Sequence, residues 1–311
     1  MLSRRKAWLT RLAGRTPAVP FEDEATGCTI WLKLEYMHPS GSTKDRVAAF
    51  VLAHAVETGL LREDGIVVEA SSGSTSIAFA MACAMLGVRF RAVMPENVSR
   101  ERTLIIRRYG GEVALTPQSE GVLGSILATR RMAEEDPRVF LPRQFDNPLN
   151  ARAHERGTGR EILEQVGSTI HGFVAGVGTG GTLMGIARAL REAGHPTRIA
   201  RVLPEKGGVC FQGQPEVCGG IPGVVEGLSS IFDRDSVHLD EDVRIAETEA
   251  IAAARELCRR GFAVGPSSGL NLAGARALAK QLGPGHTLVT VLCDRMERYF
   301  STDLFHDLGA C

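Results

Sequence analysis

The chain has 311 residues, enough for two domains with separate cores. Its 36 basic and 36 acidic side chains cancel, which excludes a net field drawing it to nucleic acid or anionic lipid. No apolar run is long enough to span a membrane, and neither the seven scattered cysteines nor the eight histidines carry metal-ligand spacing. The opening residues are basic without the apolar stretch of a secretory signal, so a reducing, cytoplasmic compartment is expected.

The first informative stretch is Pro39-Ser40-Gly41-Ser42-Thr43-Lys44-Asp45-Arg46, a polar turn that runs into an apolar-periodic helix. Ser42 or Thr43 suits the N-cap and Gly59 the stop, which puts Lys44 in the first helical turn. The positive potential of a helix start disfavours an ammonium, and a free amine is what Schiff-base chemistry requires. The alternative is a solvated surface lysine beside Asp45 and Arg46.

Short apolar runs then alternate with helical patterns. Strands are expected at 66–70, 89–94, 113–115 and 139–141, with helices over 77–86, 100–109 and 121–135 between them. After the polar stretch Pro142-Arg143-Gln144-Phe145-Asp146-Asn147-Pro148 comes a helix over 151–166. A strand at 170–177, a helix over 183–193 and a strand at 199–203 follow. Residues 204–228 are glycine-rich and aperiodic, a loop long enough to be a working surface. Helical patterns over 246–260 and 270–282 and a strand at 288–292 complete the chain. This rhythm predicts an α/β protein with two parallel-type twisted sheets flanked by helices.

Ligands in such sheets bind beyond the carboxyl ends of strands, where helices begin. Ser71-Ser72-Gly73-Ser74-Thr75 carries four hydroxyls at a helix start and suits a carboxylate. Gly178-Thr179-Gly180-Gly181-Thr182 allows close backbone approach and adds two hydroxyl donors, which suits a terminal phosphate. Gly265-Pro266-Ser267-Ser268-Gly269 opens the helix that follows. An amine together with a phosphate seat points to a phosphorylated aldehyde cofactor, pyridoxal 5'-phosphate. Residues 176–181 also match G-x-G-x-x-G, with Glu205 beyond the next strand, so an NAD(P)-binding oxidoreductase stands as the alternative from another class.

These stretches, with Gly14-Arg15-Thr16-Pro17, Lys33-Leu34-Glu35, Met94-Pro95-Glu96 and Glu297-Arg298-Tyr299 with Ser301-Thr302, resemble the cysteine synthase / cystathionine β-synthase family, in the family's order across nearly the whole catalytic core. The resemblance implies fold type II of the pyridoxal-phosphate enzymes, with the cofactor in a cleft between a smaller domain (39–148) and a larger one (1–38 and 149–311). It implies that Lys44 is the Schiff-base lysine. Gly178, Thr179, Gly180, Gly181 and Thr182 hold the phosphate, and Ser267 faces the pyridine nitrogen. Ser71, Ser72, Thr75 and Gln144 bind the substrate carboxylate. Ser74 stands where the family usually has an asparagine against the cofactor's phenolic oxygen. Gly223 and Glu226 lie in a segment expected near the substrate, with Glu226 where the family usually has a small residue. The implied activity is cysteine synthesis from O-acetylserine and sulfide, with cysteine desulfhydrase or cystathionine β-synthase chemistry as alternatives. A homodimer and a docking serine acetyltransferase are the implied partners. No metal, nucleic acid or membrane partner is expected.

Overall fold

The computed structural model describes residues 2–71, 73–206, 221–224 and 227–308. In chain order it comprises α1 (Leu2–Leu12), β1 (Ala18–Asp23), β2 (Cys28–Lys33), α2 (Lys44–Glu57), β3 (Ile66–Ala70) and α3 (Ser74–Leu86). Next come β4 (Arg89–Pro95), α4 (Arg100–Arg108), β5 (Glu112–Thr116), α5 (Gly121–Glu135), β6 (Val139–Phe140) and α6 (Leu149–His154). A π-helical turn (Glu155–Gly159) leads into α7 (Arg160–Val166), β7 (Gly172–Gly176), α8 (Gly181–Glu192) and β8 (Arg198–Pro204). The last elements are β9 (Glu241–Ile245), α9 (Glu247–Arg259), α10 (Pro266–Leu282) and β10 (Thr287–Val291).

The chain divides into two compact units. The first holds the described residues of 1–14 and 38–150 and is built on a four-stranded parallel sheet in the order β5-β4-β3-β6. Side chains alternate across a strand, so each sheet face collects its own core. Val67, Phe90, Ala92 and Met94 pack with apolar residues of α1 to α4, whereas Ile66, Val68 and Val93 pack with Ala128 and Met132 of α5. Burial on both faces is why these strands read as continuous apolar runs in the sequence.

The second unit holds the described residues of 15–37 and 151–308 around a six-stranded sheet in the order β1-β2-β10-β7-β8-β9. Only the β1–β2 pair is antiparallel; the other pairs are parallel. Ile30, Leu32, Val174, Val202 and Leu288 pack against α9 and α10 on one face. Phe173, Ala175, Ile199, Val289 and Val291 pack against residues of α7 and α8 on the other.

One expectation is corrected here. Residues 1–38 do not all belong to the larger unit, because Leu2 and Leu9 of α1 enter the core beneath α2 and α3, and the Arg5 Nη1 donates to the Leu86 carbonyl at 2.9 Å. The segment 151–166 is helical throughout, as expected, with a π turn where Gly185 of α8 comes so close that a Cβ there would lie 2.2 Å from the Ala151 carbonyl oxygen and 2.6 Å from the His154 Cβ. The widened π turn sits at that approach. Among the described residues no helix is long and apolar enough to cross a membrane, and no group of His, Cys, Asp and Glu could hold a metal ion.

Helices α9 and α10 touch through Gly269, where a Cβ would lie 2.1 Å from the Ala250 carbonyl oxygen and 2.5 Å from the Ala254 nitrogen. Backbone cannot yield as a side chain can, so Gly269→Ala is expected to destabilise the protein by about 1–3 kcal/mol. Thermal unfolding followed by circular dichroism checks this; an unchanged midpoint would contradict it.

Candidate active site

In the first unit, Thr43 is the N-cap of α2 and Lys44 its first residue. The Lys44 amide donates to the Ser42 hydroxyl at 3.3 Å. Asp45 is buried rather than solvated: its carboxylate accepts the Ser40 amide at 2.8 Å and the Ser40 hydroxyl, locking the turn that presents Lys44. Arg46 is buried as well, so neither neighbour of Lys44 is a solvated surface charge. The Lys44 Nζ, half-buried, has no hydrogen-bond partner among the described residues.

The expected carboxylate loop follows β3. Ser71 donates its amide to the Val93 carbonyl, and its hydroxyl accepts the Gly73 amide at 3.2 Å, which leaves the hydroxyl proton unspent among the described residues. Gly73 caps α3 with no side-chain cap, and Ser74 and Thr75 form its first turn. The Thr75 hydroxyl donates to the Gln144 Oε1 at 2.7 Å, and the Gln144 Nε2 donates to the Ala70 carbonyl at 2.7 Å. Ser71, Ser74, Thr75 and Gln144 are thus gathered at the end of β3, and Gln144 keeps one amide hydrogen. Ser72 lies outside the described residues.

Behind Gln144 stands a residue that pattern reading passes over. Glu69 is buried in β3, its oxygens accepting the Ala70 amide at 2.9 Å and the Gln144 amide at 3.2 Å. Burial pushes its carboxyl up to about 8, against backbone N–H groups of Gln144, Ala70 and Arg143 that favour the charged form; Asp146 pushes it further up. The one available signal was a lone carboxylate inside an otherwise apolar strand.

In the second unit, the expected phosphate loop connects β7 to α8. Gly180 is the N-cap at φ +83°, in the region that favours glycine, and contributes no side-chain cap. A Cβ on Gly178 would lie 2.2 Å from the Gly223 carbonyl oxygen, so Gly223 packs directly on this loop. The Thr179 hydroxyl accepts the Gly181 amide at 3.4 Å, and the Ser229 hydroxyl donates to the Thr179 carbonyl at 2.6 Å. Thr182 Oγ1 lies 3.3 Å from the Nε2 of His154, whose Nδ1 lies 2.9 Å from the Thr158 hydroxyl. His154, buried at the π turn, also escaped the sequence reading. Glu226 lies outside the described residues.

Ser267 is the second residue of α10, whose N-cap is Gly265. Its half-buried hydroxyl makes no hydrogen bond among the described residues, whereas Ser268 is engaged by the Cys293 amide at 2.9 Å. Asn271 accepts the Gly176 amide at 2.7 Å and donates to the Val291 carbonyl at 2.7 Å, tying α10 to the strands on either side.

Taken unit by unit, these residues suit the groups of pyridoxal phosphate: in the first unit an amine without a partner among the described residues for the aldehyde, in the second a glycine-lined helix start for the phosphate and the Ser267 hydroxyl for the ring nitrogen. A family model described as "Pyridoxal-phosphate dependent enzyme" matches residues 9–294. The chain belongs to this family. It is 36% identical over 304 residues to a cysteine synthase of Staphylococcus aureus, covering 96% of both chains. Among solved structures, it is similar to an O-ureido-L-serine synthase, with a TM-score of 0.89 and 36% identity over 96% of this chain and 94% of that one. It is also similar to the O-acetylserine-dependent cystathionine β-synthase of Helicobacter pylori, with a TM-score of 0.88 and 31% identity over 96% and 98%. The protein is therefore a pyridoxal-phosphate-dependent enzyme of the cysteine synthase type and its β-replacement relatives, and the family match removes the dinucleotide alternative.

The raised Glu69 carboxyl has a consequence for stability. Between its ordinary value of 4.5 and about 8, the folded protein holds a proton that the unfolded chain has released. Its contribution is present below about pH 4.5 and is lost as pH rises to about 8. Glu69→Gln removes this dependence, so the fall in Tm across that window is expected to be smaller than in the parent protein. Equal falls in both would contradict it.

Proposed function

We propose that this enzyme makes cysteine from a serine O-ester such as O-acetylserine and sulfide. The observation that carries the reading is the likeness to cysteine synthase along nearly the full length of both chains, joined to the Ser71 hydroxyl and the second Gln144 amide hydrogen at the end of β3, donors that suit an α-carboxylate.

In this reading the Lys44 amine holds the cofactor, Gly178, Thr179, Gly180, Gly181 and Thr182 bind its phosphate, and the Ser267 hydroxyl meets its ring nitrogen. When bound, pyridoxal phosphate supplies an electron sink for bonds breaking at the substrate α-carbon. Ser71, Ser72, Thr75 and Gln144 orient the substrate by its carboxylate. Lys44 Nζ removes and later returns the α-proton, the role of a base placed within hydrogen-bond reach. Ser267, as a hydroxyl, cannot hand over a proton as a carboxylic acid would, which moderates the sink and favours loss of the β-substituent over transamination. Ser74 is shorter than the asparagine usual in the family, and a bridging water or a tilt of the ring would close the gap to the phenolic oxygen. A homodimer and a docked serine acetyltransferase belong to the same reading.

A second reading is favoured by the likeness to an O-acetylserine-dependent cystathionine β-synthase. There the incoming nucleophile is a thiol amino acid, and Glu226, three residues after Gly223 in the sequence, orients its amino group. Glu226 as a base on water would instead favour cysteine breakdown.

Assays with O-acetylserine are expected to show sulfide consumed and cysteine formed. Sulfide release from cysteine outrunning that rate, or homocysteine displacing sulfide as the better acceptor, would overturn the first reading. Gly178→Ala, which presses a methyl group onto the Gly223 carbonyl, is expected to lose the yellow cofactor on desalting while the parent retains it. Full retention would remove this loop from the phosphate site.

A further inference from the structure

The substrate seat depends on a side chain that touches no substrate. Gln144 holds its side-chain amide in place through Thr75 and Ala70, yet its backbone is set by something else. Arg143, immediately before it, has φ +55°, a left-handed conformation that a side chain other than glycine, asparagine or aspartate rarely adopts. Such a residue persists only where its surroundings over-determine it. Here the surroundings are specific. The Glu69 carboxyl takes the amide of Gln144 on one oxygen and that of Ala70 on the other, and the Arg143 amide also donates to it. On the far side of the turn, the Asp146 and Asn147 amides donate to the Arg143 carbonyl at 3.0 and 2.9 Å, and the Asn150 side chain donates to the Gln144 carbonyl at 2.9 Å.

Glu69 also lines a small cavity with Val68, Ile126, Arg130, Arg143 and Asp146. A carboxyl buried there is costly unless its oxygens are filled, and what fills them is the backbone on either side of the carboxylate seat.

We propose that Glu69 is a positioning residue for the substrate carboxylate: by gripping the backbone of Ala70, Arg143 and Gln144 together, it holds the Gln144 amide, braced by the Thr75 hydroxyl, where its remaining N–H meets the carboxylate. Removing it leaves backbone N–H groups without an acceptor in a buried site, and the strained Arg143 turn relaxes. The seat then loosens toward the substrate while the chemistry at Lys44 proceeds as before. This inference rests on the assignment of Gln144 and Thr75 to the carboxylate seat.

The test uses the cofactor-loaded enzyme with O-acetyl-L-serine and sulfide. It compares Glu69→Gln, which keeps size and one acceptor, with Glu69→Ala and with Gln144→Ala. Glu69→Gln is expected to raise KM for O-acetyl-L-serine about five- to tenfold with kcat changed less than about twofold, and Glu69→Ala to raise KM further. Amide hydrogen exchange over residues 142–147, measured on the same samples, is expected to quicken in both. An unchanged KM and unchanged exchange in both Glu69 variants, with KM raised in Gln144→Ala, overturns the role of Glu69 alone. An unchanged KM in Gln144→Ala overturns the seat itself and the inference with it. A fall in kcat matching any loss in affinity, together with loss of bound cofactor in Glu69→Gln, shows general damage and overturns positioning.

Discussion

The constraint on which the rest depends is that three helices combine a glycine N-cap with a first turn that holds no acidic residue. Helices α3, α8 and α10 are each capped by a glycine, carry no side-chain cap, and have no acidic residue in the first turn. Helix α9 is the contrast, with Glu247 and Glu249 in its first turn. Anionic side chains at a helix start are stabilising, so leaving them out has a local cost. That cost would be offset by an external anion, which the proposed reading supplies as a phosphate at α8 and a carboxylate at α3.

Close packing keeps these helix starts where they are. In the second unit, Gly223 rests on Gly178, the Ser229 hydroxyl props the Thr179 carbonyl, and Asn271 couples the end of β7 to β10 and α10. His154 backs Thr182 from the π turn. In the first unit, Asp45 locks the Lys44 turn and Glu69 locks the Gln144 turn. The Thr179 carbonyl, the Thr182 hydroxyl and the Gln144 backbone are thus each held by a polar neighbour, and such networks define geometry best when every member is satisfied.

Much of this was legible in the sequence, for a physical reason. Parallel strands buried on both faces must be apolar runs, so β3, β4, β7, β8 and β10 announced themselves, and glycine–hydroxyl loops after β3 and β7 marked the helix starts. Three kinds of element were hidden. Edge strands β1 and β9 mix charge with apolar residues, and β1 also contains Pro20, which an edge tolerates and a pattern search rejects. The π turn depends on the approach of Gly185, a contact between segments far apart in sequence. Glu69 and His154 sit inside elements rather than in loops, so their roles follow only from which backbone amides and hydroxyls they meet in space.

The central claim is that Lys44 carries pyridoxal phosphate. Borohydride reduction of the cofactor-loaded enzyme, followed by proteolysis and mass spectrometry, tests it most directly. The account predicts one reduced adduct, on the peptide containing Lys44, absent from Lys44→Ala. An adduct on Lys33, Lys206 or Lys280, or no adduct in enzyme that retains its yellow colour before reduction, would contradict it.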